Sequence, residues 1–211
     1  MMSLTRDIIQ LNRTSHEDFL YYETLIEKIE ENCQKNPDIA IESAKSLIEG
    51  VSKTILLRLD RSATNEKVNK MDFPDLFRNA CWRIKSHTYF EEDFIYRTSS
   101  MIQILAELRN QRGDISHGKA VPKVEVSSIA SAMMIMHVTD ALVNYILDSF
   151  FKIDLSFKRE LKYDANPDFN DELDEVYPLK TIKYSRALYD QDFTEYEEQL
   201  KIYLDRIKSE G

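Results

Sequence analysis

Arg109-Asn110 and His117, with Gly113 and Asp114 between them, form the densest polar constellation in the chain. They lie in the run Leu108-Arg109-Asn110-Gln111-Arg112-Gly113-Asp114-Ile115-Ser116-His117-Gly118-Lys119. Arginine presents a planar, permanently charged fork that matches phosphate oxygens. Histidine titrates near ~6.5 and carries protons at neutral pH. The pair therefore suits chemistry on a phosphate, with Asn110 available to orient phosphate or ribose and Asp114 to fix the histidine tautomer. Taken alone the spacing is a weak pattern. An arginine at a helix end also satisfies carbonyls and the helix dipole, and a loop histidine often bonds backbone.

Something must hold that run in place, and the apolar periodicity says what. Ile95, Thr98, Ile102, Leu105 and Leu108 mark a helix over 93–111, with Gly113 at a stop position. Upstream, Ile41, Ala44, Leu47, Ile48, Val51, Ile55 and Leu59 repeat near 3.6 and predict a helix over 38–59. Phe19, Tyr22, Ile26 and Ile29 give another over 17–34, broken at Asn36-Pro37. Pro74 suits the first turn of a helix running to about Lys85. Residues 60–72 read as a polar loop and 112–126 as irregular.

Downstream, Ser127 or Ser128 caps a long helix to about Phe151. Its apolar face (Ile129, Ala132, Met133, Met136, Leu142, Val143, Ile146 and Phe150) is too wide for one contact. Such a face is buried inside a bundle or at a dimer interface. Residues 164–180 read as an ordered but irregular crossing. Phe193, Tyr196, Leu200, Tyr203, Leu204 and Ile207 predict a closing helix over 190–209.

Composition narrows the function classes. Four glycines and five prolines in 211 residues are too few for a β-sandwich or a glycine-rich phosphate loop. A net charge of −9 argues against a general nucleic-acid coat. The charge is uneven: residues 78–123 carry 8 basic and 5 acidic side chains, and residues 160–211 carry 7 and 14. Cys33 and Cys81 lie too far apart for a paired-cysteine motif and read as buried thiols in a reducing cytosol. No acidic or histidine spacing marks a metal site, so no metal or cofactor is expected. The longest apolar stretch, 129–151, holds His137, Asp140, Asn144 and Asp148, which argues against a membrane span. His16 reads as solvated and His137 as core or interface. Trp82 and Tyr89 read as core aromatics, with stacking on RNA as the alternative.

The run from Arg109 to His117 resembles the signature of the HEPN superfamily, in its abortive-infection C-terminal branch. That signature is an arginine, a polar residue, a short gap and a histidine. The resemblance extends to Ala40-Ile41-Glu42-Ser43-Ala44-Lys45-Ser46-Leu47-Ile48-Glu49, to Lys53-Thr54-Ile55-Leu56 and to Ile182-Lys183-Tyr184-Ser185-Arg186-Ala187-Leu188-Tyr189, covering roughly 38–205. The family leaves four to six residues between arginine and histidine. Arg109 leaves seven and Arg112 leaves four, so Arg112 keeps the stricter spacing while Arg109 keeps the Asn110 neighbour.

The resemblance implies an all-α, HEPN-like helical bundle with a C-terminal helical extension. The expected divisions are a helical segment at 1–36, the bundle at 37–155 and an acidic extension at 156–211 packed on it. It implies a metal-independent endoribonuclease of abortive infection or toxin–antitoxin defence, in the cytoplasm. Arg109, Asn110 and His117 would be catalytic, supported by Asp114, Arg112, Glu49 and Lys53. Lys119, Arg83 and Lys85 would hold the RNA. The partners implied are an RNA substrate, a second copy in a homodimer, and an antitoxin or partner defence protein, with no membrane. One rival is a non-catalytic module that binds nucleotide or RNA for a partner effector. Another is a purely structural helical protein.

Overall fold

A computed structural model describes residues 1–60, 62–112, 126–154 and 162–210, except the side chains of 109–112 and 210. These residues fall into two compact units, 1–153 and 154–211. Every regular element among them is helical.

The first unit is built around α3, Pro37–Leu59. Pro37 opens it, where a missing N–H costs nothing and the fixed φ is already helical. All seven residues of the predicted stripe are buried. Around α3 pack α2 (Glu23–Lys35), α5 (Phe73–His87), α6 (Glu92–Arg112) and α7 (Ile129–Phe151). Ser128 caps α7 by accepting the Ser131 N–H. Phe19, Tyr22, Ile26 and Ile29 are buried as expected, but Glu17–Tyr22 is a 3-10 turn and the α-helix begins only at Glu23. Gly50 makes room for Tyr22: a Cβ there would come within 2.8 Å of its ring. The Tyr22 hydroxyl hydrogen-bonds Thr54 at 2.6 Å.

A short helix within 60–72, His16, His137 and two apolar positions of α7 depart from the sequence expectation, and a further helix forms near the amino terminus. Ser3–Leu11 forms α1, which packs on α7. Its first turn is satisfied from α7: buried Asp140 accepts the Thr5 N–H at 2.8 Å and the Leu4 N–H at 3.3 Å, and the Thr5 hydroxyl donates to the Asp140 carbonyl. Within the expected 60–72 loop, Thr64 caps α4, Asn65–Lys70, and the buried Val68 holds that turn down. His16 is not solvated; it is 8% exposed, stacked on Phe151 at 4.6 Å, and accepts the Arg58 N–H on Nδ1. His137 is exposed, so it is no core residue. In α7 itself Ala132, Met136, Leu142, Val143, Ile146 and Phe150 are buried, whereas Ile129 and Met133 remain exposed.

By length and composition α7 is the one helix among the described residues apolar enough to cross a membrane. Its buried Asp140 and its contacts with α1, α2 and α3 make it a core helix here.

His16 gives the first unit a pH response. Burial, then the charge of Arg58, lowers its pKa below 6.5, with Asp18 acting against them. The unfolded chain therefore takes up this proton first as pH falls. Stability is complete above about 6.5 and declines below it, by at most about 1.4 kcal/mol per pH unit. Urea midpoints at pH 7.5 and 5.5 should differ less in His16→Gln than in the wild type.

The second unit contains a 3-10 turn at Tyr163–Ala165, α8 (Pro167–Val176), α9 (Tyr184–Gln191) and α10 (Phe193–Glu210). The helix α8 corrects the irregular crossing expected over 164–180. Pro167 starts it, and Phe169 and Leu173, one turn apart, turn inward. They meet Leu188, Tyr189, Tyr196 and Leu200, as the periodicity of the closing helix anticipates for the last two. Ile207 instead is exposed.

Candidate functional site

The helix α6 delivers the motif. Ile95, Thr98, Ile102 and Leu105 bury its inner side and Leu108 is partly covered, as the spacing predicts. Glu92 and Asp93 sit in its first turn, where negative charge is favoured. Arg109, Asn110 and Arg112 occupy its closing turn. Cations are favoured there, near the negative end of the dipole. Arg109 and Arg112 are three residues apart, a spacing that makes neighbours on a helix surface. Gly113, Asp114, His117 and Lys119 lie outside the described residues, so the expectations placed on them do too.

Glu49 and Lys53 stand on α3, against which α6 packs. They form more than the simple pair the spacing suggests. Glu49 bridges two lysines: Lys53 at 2.8 Å and Lys45, each one turn away. All three side chains are partly buried, and the Lys45 ammonium also lies over the Phe73 ring. Burial pushes the Glu49 carboxyl up, but hydrogen bonds and charge from the two lysines more than offset it. Its pKa is held below the usual value, so Glu49 is a fixed anion at neutral pH.

Arg83 and Lys85 stand two residues apart on α5, and both are engaged with acids: Arg83 with Asp60, Lys85 with Glu92. Trp82, between them, is half-buried with the Lys85 ammonium 4.7 Å from its ring centroid. Tyr89 is 80% exposed and is no core aromatic. The Asp60 partner of Arg83 carries no signal in the sequence, because it falls where helix passes into polar chain. Both cysteines are buried, and burial raises both thiol pKa values. Neither thiol is a poised nucleophile. Among the described residues no three His, Cys, Asp or Glu side chains gather to hold a metal ion.

The helices that position the motif coincide with a known family unit. The Abi_C family model, a HEPN-like domain, matches residues 21–150, from the 3-10 turn before α2 to the end of α7. No curated protein and no solved structure matches the chain.

Proposed function

The chain belongs to the Abi_C family of HEPN-like domains, and from that premise we propose that it is a metal-independent endoribonuclease of antiviral or toxin–antitoxin defence, working in the cytoplasm. The observation that carries the reading is the Arg109-Asn110…His117 motif beginning in the closing turn of α6, inside the matched segment. RNA supplies its own nucleophile. The 2′-OH gives its proton to His117 and attacks the adjacent phosphorus. The bond to the 5′-oxygen breaks, and that oxygen takes up a proton. The ends are a 2′,3′-cyclic phosphate and a 5′-hydroxyl. Arg109 offsets the charge that gathers on the phosphoryl oxygens, with Arg112 beside it. Asn110 orients the phosphate or ribose and Asp114 the imidazole. The fixed Glu49–Lys53 pair supports the site, and Lys119, Arg83 and Lys85 attract the strand. A positioned proton carrier contributes roughly 100- to 10,000-fold.

The chemistry needs no divalent ion. Cleavage of bulk RNA should persist in excess EDTA and leave 2′,3′-cyclic phosphate ends. Loss of cleavage on chelation, restored by added magnesium, would reject the mechanism. The seven-residue gap between Arg109 and His117 favours a second reading, in which the motif binds phosphate without cutting. Phosphate-ligand binding with intact RNA would select it.

The acting species in this proposal is a symmetric dimer with the two 109–118 segments facing one another. Support comes from an apolar groove between α6 and α7, with Ile104 and Met134 more than half exposed beside Met101 and Leu108. Light scattering should give twice the chain mass at micromolar concentration. Ile104→Asp should weaken association at least about tenfold. A wild-type monomer under those conditions ends the dimer proposal. An antitoxin or partner defence protein is the remaining partner it invokes.

A further inference from the structure

A pocket of about 360 Å³ lies among α3, α4 and α5. That volume falls in the ~300–1,000 Å³ range of small-molecule sites. Trp82 lines it and is the only tryptophan in the chain. A lone, half-buried indole on a pocket wall is a large flat surface left out of the core. It is fixed in place by the Lys85 ammonium over the ring and by the edge of Tyr96 at 6.0 Å.

The remaining lining is chemically specific. Arg83 donates from Nε and Nη2 to the Asp60 carboxylate, at 3.1 and 2.8 Å. The other Asp60 oxygen accepts the Ser62 N–H and hydroxyl, both at 2.8 Å. Four donors thus compensate that carboxylate. Arg83 is held rigidly and keeps further N–H groups for a ligand. Lys67, tethered to the Ser62 carbonyl at 2.8 Å, adds a second cation. Among the described residues the charge on the lining is net +1: Arg83 and Lys67 against Asp60. Asn79 and Ser86 contribute an amide and a hydroxyl.

We propose that this pocket binds a nucleotide, with the base stacked on Trp82 and the phosphate held by Arg83 and Lys67. A flat π-system and an anion on one small ligand are what the lining asks for. The source is either a free nucleotide or one residue of an RNA strand. In the second case the inference rests on the RNA-cleaving reading above, and the pocket becomes a substrate subsite.

Because Trp82 is the sole indole, its fluorescence reports the surroundings of this one side chain. The wild-type protein is titrated with adenosine 5′-monophosphate and with a 2′-O-methylated RNA hexanucleotide. The hexanucleotide cannot be cut by 2′-OH attack, so binding is scored apart from cleavage. Saturable quenching is expected, weakened about tenfold or more in Arg83→Gln and in Lys67→Gln. For the hexanucleotide, each substitution should reduce the salt slope by about one. Lys67 is exposed on α4, so its variant keeps the fold even if Arg83→Gln disturbs the Asp60 clamp. Tighter, salt-steeper binding of the hexanucleotide assigns the pocket to the strand. Equal or tighter binding of the monophosphate assigns it to a free nucleotide. Quenching by neither ligand overturns the proposal, as does quenching that both substitutions leave unchanged.

Discussion

Replacing His117 or Arg109 by alanine should abolish RNA cleavage while helical content and melting temperature stay as in the wild type. In the mechanism we propose, the two substitutions remove different halves of one step. Without His117 the proposed attack has no positioned acceptor for the 2′-OH proton, a loss of roughly 100- to 10,000-fold. Without Arg109 the charge gathering on the phosphoryl oxygens is uncompensated, where one well-placed donor is worth about 100- to 1,000-fold. Arg112→Ala should cost less, because Asn110 follows Arg109 and not Arg112. The helix makes the comparison sharp. Both arginines stand in the last turn of α6, three residues apart. An active Arg109→Ala beside a dead Arg112→Ala moves the motif arginine to 112. Full activity in His117→Ala removes the acid–base mechanism altogether.

Tyr196→Ala should unfold the second unit. Tyr196 is fully buried and central to a core of six buried residues. Its ring meets Phe169, Tyr189 and Phe193, and its hydroxyl donates to Asn170 at 2.7 Å. Burial pushes that hydroxyl up to about 12, so it remains a neutral donor through the physiological range. Removing a buried aromatic ring costs roughly 3–5 kcal/mol. Asn170, itself buried, would also lose the partner of its carbonyl. A core this small supplies at most about 3–5 kcal/mol in all. Hydrogen exchange should therefore show residues 162–210 losing protection in Tyr196→Ala while α3 keeps its own. Tyr196→Phe keeps the ring and should stay folded. Retained protection in the alanine variant would show that the unit is held by something other than this cluster.

What could be read in advance follows from range. The α3 stripe was legible because its signal is local and repeats over about five turns. A serine cap at 127 or 128 was legible because a single side chain suffices, and the structure selects Ser128. The α6 helix and its polar ending were legible for the same reason. The misreadings share a cause. The partners of α1 sit at Asp140, 135 residues from Thr5, and nothing near the amino terminus announces them. His16 depends on Arg58 and Phe151, both far along the chain. Asp60 and Arg83, 23 residues apart, compose a clamp only once α3 and α5 lie side by side. At α8, Pro167 lies in the stretch that reads as an irregular crossing, although proline at a first turn starts a helix as readily as it ends one.

The family match begins at Tyr21, inside the 3-10 turn, whereas the folded unit begins at Met1. The matched segment is thus shorter than the compact unit that contains it. A protein trimmed to 21–150 would strip both N–H partners from the Asp140 carboxylate and remove the His16 and Phe19 rings that lie against Phe150. The inherited scaffold would then carry an open seam along α7, with an orphaned charge and bare aromatics inviting aggregation. The matched segment holds the helices around α3, and the stretch before it covers one side of α7.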